Sequence, residues 1–171
     1  MSAQAAQAVI DSLEFARTGQ SLSGSLPVSV LARLQDSLVD GLGEVRFEVK
    51  GGRNEQRRLV LTLEISGVLH LQCQRCLGVL DYVLKLSRTL LLVSESAAES
   101  SELEDVAVEW IEASTELDVA GLVEDEILLS LPYAPRHPEG QCPPGARTAA
   151  GSDRVTAFAK LAALKRNGNR N

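Results

Sequence analysis

Apolar and polar residues alternate along two neighbouring stretches of the chain, and this pattern constrains the fold more than any other feature. Leucine and isoleucine fill most odd positions of residues 59–72, and the alternation resumes with apolar residues at even positions over residues 80–92. Successive side chains of a strand point to opposite faces, so each stretch predicts a long strand with one buried face. The sequence therefore predicts an antiparallel hairpin with Cys73 and Cys76 in the short turn at its tip.

Glycines mark expected ends and irregularities of this sheet. Alternation over residues 44–50 predicts a further half-buried strand, which we expect Gly51 and Gly52 to end. Gly67 lies inside the first hairpin strand and predicts a β-bulge there. A short strand is also expected over residues 106–111, around the only tryptophan. Together with the hairpin, these stretches predict an antiparallel sheet.

Helical spacing of apolar residues occurs in three places. Residues 28–39 and 117–131 predict amphipathic helices, and the second opens on a sequence like a capping box at residues 115–118. After an irregular proline-rich stretch, Ser152 or Asp153 can cap a final helix. This order of elements predicts the α+β class, with an antiparallel sheet, a long central hairpin and helices packed on one side.

Charge is distributed unevenly and divides the chain into regions. Residues 94–126 carry twelve acidic residues and no lysine or arginine, whereas residues 147–171 carry six basic residues and one acid. We expect residues 1–25 to form a loosely ordered N-terminal segment and residues 26–146 to form an α+β core domain with an acidic loop over residues 94–116. Residues 147–171 are expected to form a basic C-terminal helix or tail, either frayed in solvent or bound to phosphates.

Length and composition exclude several classes of protein. The chain has 171 residues, of which 44% are hydrophobic, and this is enough to bury a core. No apolar run reaches the roughly 18 residues that a membrane-spanning helix requires. The N-terminal residues lack the basic start and apolar run of a secretory signal, which predicts a cytoplasmic protein without a membrane partner. Aromatic residues make up only 4%, so any RNA contact is expected to depend on charge rather than base stacking.

Cysteine and histidine residues provide one candidate site. Cys73 and Cys76 share the predicted hairpin tip, where a tight turn lets two thiolates reach one tetrahedral ion. His137 and Cys142 lie far along the chain in the proline-rich stretch and are of the right types for the other two ligands. Three readings stay open: one structural zinc held by all four residues, reduced free thiols, or a redox-active dithiol at Cys73 and Cys76.

The sequence carries none of the common enzyme signatures that we sought. It has no glycine-rich phosphate loop, no GxSxG and no HExxH. Glu124, Asp125 and Glu126 span too much of a helical turn to converge on one substrate atom, so we expect a solvated helix end or partners for basic residues. His70 alternates with apolar residues and is expected on the solvent face. We therefore expect a protein that is not an enzyme.

Four sequence blocks follow one another between residues 71 and 166. They are LQCQRCL at residues 71–77, VEDEILLSLP at residues 123–132 with Leu117-Asp118 ahead of it, Pro135-Arg136-His137 followed by Cys142, and FAKLAALKR at residues 158–166. Over roughly residues 59–166, this combination closely resembles the YceD family, the large ribosomal RNA subunit accumulation proteins. The N-terminal quarter resembles the family in general character only.

The resemblance implies a non-enzymatic bacterial factor needed for synthesis, processing or stability of 23S ribosomal RNA. Its partner would be the 23S ribosomal RNA precursor or an early large-subunit particle. The basic residues inside the matched blocks are the expected RNA contacts, because guanidinium and ammonium groups bind phosphates. They are Arg75, Lys160, Lys165 and Arg166.

Two other functions are compatible with the same sequence. The first is a protein-binding adaptor that acts on a large-subunit ribosomal protein or an RNA-processing nuclease through acidic residues 94–126, without touching RNA. The net charge of −6 favours this alternative. The second is a thiol oxidoreductase that uses Cys73 and Cys76. Binding to ribosomal RNA that weakens with salt would separate the first two, because only phosphate contacts release counterions.

Overall fold

The computed structural model describes residues 8–94 and 109–143, and these form an α+β fold around a five-stranded sheet. In chain order the elements are β1 (Val9–Ile10), α1 (Ser12–Thr18), β2 (Ser21–Pro27), β3 (Glu44–Arg53), β4 (Leu59–Gln72), β5 (Val79–Val93), β6 (Trp110–Glu112), β7 (Leu117–Asp118) and α2 (Val119–Ser130). The predicted fold class is confirmed. No helix in the described part of the chain is long and apolar enough to cross a membrane.

The sheet has the order β2-β3-β4-β5-β6, and its centre is the predicted hairpin of β4 and β5. These two strands pair in an antiparallel register from Val60 opposite Leu91 to Gln72 opposite Val79. Strands β2 and β3 extend the antiparallel sheet on one side, whereas β6 is parallel to β5 on the other. A separate antiparallel pair joins β1 to β7 and brings the N-terminal part of the chain beside α2.

One face of the sheet carries the hydrophobic core, and both helices contribute to it. Phe15 of α1 and Ile127 of α2 belong to the same buried cluster as the alternate, inward-facing residues of the strands. The predicted period-2 pattern is confirmed, because β4 buries residues that lie two apart along the strand. These are Leu61, Leu63, Ile65, Leu69 and Leu71.

Part of the predicted N-terminal segment is folded, so the expectation of loose order over residues 1–25 is wrong for residues 8–25. Asp11 caps α1 by accepting a hydrogen bond from the backbone N–H of Glu14 at 2.9 Å, and Gly19 ends the helix in the left-handed conformation. The Ser12 hydroxyl donates to the carbonyl of Ser114 at 3.0 Å. Strand β2 then pairs with β3 along its whole length. Residues 8–25 adopt this structure because they pack on the sheet. Their small polar residues give no sign of this packing in the sequence.

The prediction of a helix over residues 28–39 is also wrong, although the apolar residues Val28, Leu31 and Leu34 are buried as expected. The chain instead forms two short 3-10 turns, Val28–Val30 and Gln35–Ser37. The Gln35 side-chain amide donates to the carbonyls of Val28 and Leu31 at 2.7 and 2.9 Å, which takes up acceptors that a helix would satisfy with backbone N–H groups. Side-chain hydrogen bonds therefore replace the expected helical ladder.

Two predictions based on glycine are wrong for the same physical reason. Gly51 and Gly52 do not end β3, which continues to Arg53. Gly67 forms no bulge, because the pairing of β4 with β5 is continuous through it and the regular pairing with β3 extends up to it. A Cβ atom on Gly67 would lie 3.0 Å from the carbonyl oxygen of Glu44. Gly51 and Gly67 permit close packing inside regular strands, whereas a Cβ atom on Gly52 would meet nothing within 4 Å.

Helix α2 begins two residues later than predicted. Asp118, not Thr115, is its N-cap residue, and its carboxylate accepts a hydrogen bond from the backbone N–H of Ala120 at 3.1 Å. The helix ends at Ser130, just before Pro132, as a proline requires. The strand expected over residues 106–111 is present in its described part as β6, which begins at Trp110. The remainder of the acidic loop, the final helix and the basic tail lie outside the described residues.

The acidic triplet of α2 is not a solvated helix end, but its members do pair with arginines. Glu124 and Glu126 are buried, with 7% and 5% of their surface exposed, whereas Asp125 is exposed. Glu124 accepts three hydrogen bonds from one neighbouring segment: from the backbone N–H groups of Arg33 and Leu34 at 2.7 and 3.1 Å, and from the Arg33 side chain at 3.0 Å. The carboxylate therefore holds the irregular segment against α2.

Replacing Glu124 with alanine is expected to destabilise the protein by about 2 kcal/mol, because two backbone N–H groups lose their acceptor in a buried position. Asp125→Ala is the matched control, since this exposed neighbour forms an ion pair with the Arg33 side chain and the loss of that pair should cost under about 1 kcal/mol. Urea unfolding of both variants measures the difference. Equal stability of the two variants would contradict this role of Glu124.

Candidate metal centre

The turn between β4 and β5 holds two thiols close together. The backbone N–H of Cys73 donates to the carbonyl of Gly78 at 2.9 Å, and the N–H of Leu77 donates to the carbonyl of Cys73 at 2.8 Å. Leu77 adopts the left-handed conformation, with φ of 61°, which turns the chain back into β5. Cys73 and Cys76 are both buried as a result. The tip is therefore a compact turn with two inward-facing sulfur atoms.

The proline-rich segment, residues 132–143, brings the other two candidate ligands to this tip. Pro132 ends the helical conformation after α2, and the chain then runs along the hairpin, where the backbone N–H of Gln74 donates to the carbonyl of Pro135 at 2.8 Å. A turn closed by the Gln141 N–H and the Pro138 carbonyl, at 3.1 Å, lies between His137 and Cys142. The irregular backbone that prolines impose therefore serves to place two side chains.

Together these elements form what we call the Cys3His cluster: Cys73, Cys76, His137 and Cys142. The four possible ligand atoms all lie within 4.8 Å of one another. Nδ1 of His137 is 3.5 Å from the Cys76 sulfur and 3.8 Å from the Cys142 sulfur. Bonds of about 2.3 Å to sulfur and 2.0–2.1 Å to nitrogen in a tetrahedral site require ligand separations of about 3.5–3.8 Å. The donor types and their spacing therefore fit a tetrahedral metal ion.

The orientation of His137 is fixed by a hydrogen bond outside the cluster. Its Nε2 atom lies 2.9 Å from the carbonyl oxygen of Val79, and because a carbonyl can only accept, Nε2 carries the proton. Nδ1 is thereby left with its lone pair directed toward the sulfur atoms. A backbone carbonyl that orients a ligating histidine in this way is a recurrent feature of metal sites.

Arg75 joins the two halves of the cluster. Its Nε donates to the Cys142 sulfur at 3.1 Å, and its terminal nitrogen donates to the carbonyls of His137 and Pro138 at 2.9 and 3.1 Å. One side chain from the hairpin tip thus binds the proline-rich segment at three points. The positive charge also lies beside sulfur atoms that become negative when they bind a metal.

The cluster lowers the pKa of the Cys73 and Cys142 thiols, which favours metal binding, and raises the pKa of Cys76 and His137, which opposes it. Burial alone would raise the pKa of the Cys73 thiol, but hydrogen bonds from the backbone N–H groups of Cys76, His137 and Arg75 lower it to about 5. For Cys142, burial again opposes ionisation, and the Arg75 guanidinium is the main group that lowers its pKa. The hydrogen bond to Cys73 raises the pKa of His137. Thiolates are the form of cysteine that binds metals.

The structure brings together all four metal ligands predicted from the sequence. It places the predicted RNA contact Arg75 at the same site, whereas Lys160, Lys165 and Arg166 lie outside the described residues. His70 is not part of the cluster: it lies half-buried on the opposite face of the hairpin, with Nδ1 2.8 Å from a carboxylate oxygen of Asp40. The orienting carbonyl of Val79 and the clamping role of Arg75 were not predicted, because neither has a sequence signal.

Fold and site together define a class of protein: an α+β domain in which a Cys-x-x-Cys hairpin tip and a distant proline-rich segment bring together one set of candidate metal ligands. Residues 61–165 match the family model described as large ribosomal RNA subunit accumulation protein YceD. This is more than half of the 171 residues, and the chain belongs to that family.

A relative from Haemophilus influenzae agrees with this membership. It carries the description "Large ribosomal RNA subunit accumulation protein YceD" and is 27% identical over 135 residues, which cover 78% of this chain and 76% of the relative. No solved structure matches the chain. The resemblance found in the sequence blocks is therefore confirmed at the level of the family.

Proposed function

We propose that this protein supports accumulation of the large-subunit ribosomal RNA, as the name of its relative states for that protein. The observation that carries the proposal is the family match over residues 61–165, which includes every residue of the Cys3His cluster. The partner is 23S ribosomal RNA precursor or an early large-subunit particle, and the compartment is the cytoplasm. The protein acts by binding, without a catalytic step.

The Cys3His cluster holds one structural zinc ion in this proposal. Three thiolates and an imidazole are ligands that zinc prefers, and four protein ligands leave no open position for a substrate or an activated water molecule. When bound, zinc supplies a crosslink between the hairpin tip and the proline-rich segment. Cys73 and Cys76 hold one side of that crosslink, and His137 and Cys142 hold the other. A closed site of this kind supports a binding role better than catalysis.

The adaptor function is the second candidate, and the charge of the chain favours it. With a net charge of −6 and twelve acidic residues over residues 94–126, the protein has a surface suited to a basic ribosomal protein or a processing nuclease. Purified protein tested against 23S ribosomal RNA alone separates the two candidates. Binding that weakens with salt supports direct contact with RNA, and no binding supports the adaptor.

Deleting the gene for this protein is expected to lower the ratio of 23S to 16S ribosomal RNA in the cell. A factor needed for large-subunit RNA affects one of the two subunits selectively, so the amount of 16S RNA should change little. Quantified total RNA and sucrose-gradient profiles at several growth temperatures measure the ratio. An unchanged ratio at every temperature would contradict the proposed function.

A further inference from the structure

We propose that the turn joining β3 to β4, residues 53–58, binds RNA phosphates through Arg57 and Arg58. This inference rests on the proposed function, since it assigns the surface of the protein that contacts the ribosomal RNA. The turn contains three arginines and one acid, Glu55. It is distinct from both the Cys3His cluster and the basic C-terminal residues.

The guanidinium groups of Arg57 and Arg58 are unpaired within the described residues. Both side chains are exposed, and neither makes a hydrogen bond or ion pair there. Two basic residues of the neighbouring strand β3 are paired, by contrast. A side-chain nitrogen of Arg46 lies 3.6 Å from a carboxylate oxygen of Glu44, and the ammonium nitrogen of Lys50 lies 2.8 Å from one of Glu48. Two adjacent unpaired arginines are a local excess of positive charge on a protein that is acidic overall.

Hydrogen bonds hold this turn in one conformation. The N–H of Arg57 donates to the carbonyl of Asn54 at 2.9 Å, and the N–H of Asn54 donates to the carbonyl of Arg58 at 2.9 Å. The Asn54 side chain also accepts from the Arg58 N–H, and the Arg53 guanidinium donates to the Arg57 carbonyl, each at 2.9 Å. Arg53 is thus a positioning residue, and the two free arginines extend from a fixed base.

The backbone is strained at Arg57. Its φ of 62° is in the left-handed region, at the position of a three-residue hairpin loop where glycine is the favoured residue. An arginine there is unfavourable for folding, and within the described residues its side chain makes no hydrogen bond or ion pair that would offset this strain. Backbone outliers of this kind are concentrated at functional sites. The guanidinium therefore has a use outside the chain, and phosphate is the ligand that it binds best.

The turn is also accessible to a large ligand such as RNA. On the β2 side, the last hydrogen bond to β3 runs from the Gly51 N–H to the Gln20 carbonyl at 2.8 Å, whereas Gly52 and Arg53 pair with β4, so the turn projects beyond the edge strand. The turn also lies at the opposite end of β4 from Cys73, and a strand of 14 residues is about 45 Å long. An RNA backbone can therefore reach the turn without contacting the metal centre.

The test measures how purified full-length protein binds 23S ribosomal RNA made by transcription in vitro, at several KCl concentrations. The double variant Arg57→Gln/Arg58→Gln should bind at least tenfold more weakly at 100 mM KCl, and the slope of log affinity against log salt should fall by about 1.4–1.8, because each phosphate contact contributes about 0.7–0.9. Arg46→Gln/Lys85→Gln removes the same charge from exposed positions of the sheet. This control should change affinity less than threefold.

Arg57→Gly separates RNA binding from folding. Glycine relieves the left-handed strain, so this variant should melt at the same temperature as the parent or higher while binding RNA more weakly. Equal losses in the arginine and control variants, or an unchanged salt slope, would overturn the proposal. If the parent binds no RNA while deletion still lowers the ratio of 23S to 16S RNA, the turn is not an RNA site and the proposed function stands. An unchanged ratio refutes the proposed function independently of this measurement.

Discussion

Cys142→Ser is expected to abolish stoichiometric zinc binding and to lower the melting temperature by about 10 °C or more. The parent protein, purified without chelator, should contain close to one zinc per chain. Loss of one of four ligands opens the site and frees the proline-rich segment from the hairpin tip. Because the unfolded chain has no preformed site, the binding energy of a structural zinc is also folding energy, several kcal/mol of which is lost with the metal. Elemental analysis and thermal unfolding measure the two effects.

Gln141→Ser is the matched control, since it changes an exposed neighbour that is not a ligand and should retain both zinc and stability. A chelator should lower the melting temperature of the parent toward that of Cys142→Ser and leave the variant unchanged. Zinc-free parent protein that melts at the same temperature with and without chelator would favour free thiols instead. Loss of two hydrogen atoms by mass spectrometry after treatment with a mild oxidant, with a disulfide between Cys73 and Cys76 that a reductant reverses, would favour the redox dithiol.

Gly51→Ala is expected to destabilise the protein by about 3 kcal/mol, a loss of about 6–12 °C in melting temperature. A Cβ atom at this position would lie 2.7 Å from the Cα of Ala16 and 2.8 Å from the carbonyl carbon of Phe15, and closest of all to the Phe15 carbonyl oxygen. All three are backbone atoms of α1, which cannot move aside like a side chain. Helix α1 must therefore shift away from β3, which disturbs the core around Phe15.

Gly52→Ala is the matched control. Gly52 follows Gly51 in the same strand, so a Cβ atom there would lie on the opposite face of the sheet, where it would meet nothing within 4 Å. The stability of this variant should stay within about 1 kcal/mol of the parent, with a gain allowed because alanine is less flexible than glycine in the unfolded state. Urea unfolding of the two variants under identical conditions compares them. Similar stabilities would mean that α1 does not lie against Gly51 as described.

The hairpin and the first two candidate metal ligands, Cys73 and Cys76, could be predicted from the sequence because both leave local signals. Alternation with period 2 over residues 59–72 specifies which face of β4 is buried, and a tight turn places Cys73 beside Cys76 regardless of the rest of the fold. The distant pair could be proposed only because few residues of the right type exist in the chain. That the proline-rich segment lies along the hairpin tip is a tertiary fact without a local pattern.

Other parts of the fold depend on contacts that the sequence does not show. The spacing of Val28, Leu31 and Leu34 matches a helix, but the carboxylate of Glu124, about 90 positions away, binds the backbone there and a helix does not form. Gly51 looks like the end of a strand and is in fact the place where α1 contacts it. In each case a long-range neighbour outweighs a weak local preference.

The most direct test of the central claim is complementation of the deletion strain, with the ratio of 23S to 16S ribosomal RNA as the readout. If accumulation of the large-subunit RNA depends on the Cys3His cluster, a chain with Cys73→Ser and Cys76→Ser should fail to restore the ratio. The parent and Gln141→Ser should restore it fully at equal protein levels. Full restoration by the double cysteine variant would contradict the account, because the cluster would then have no part in the function.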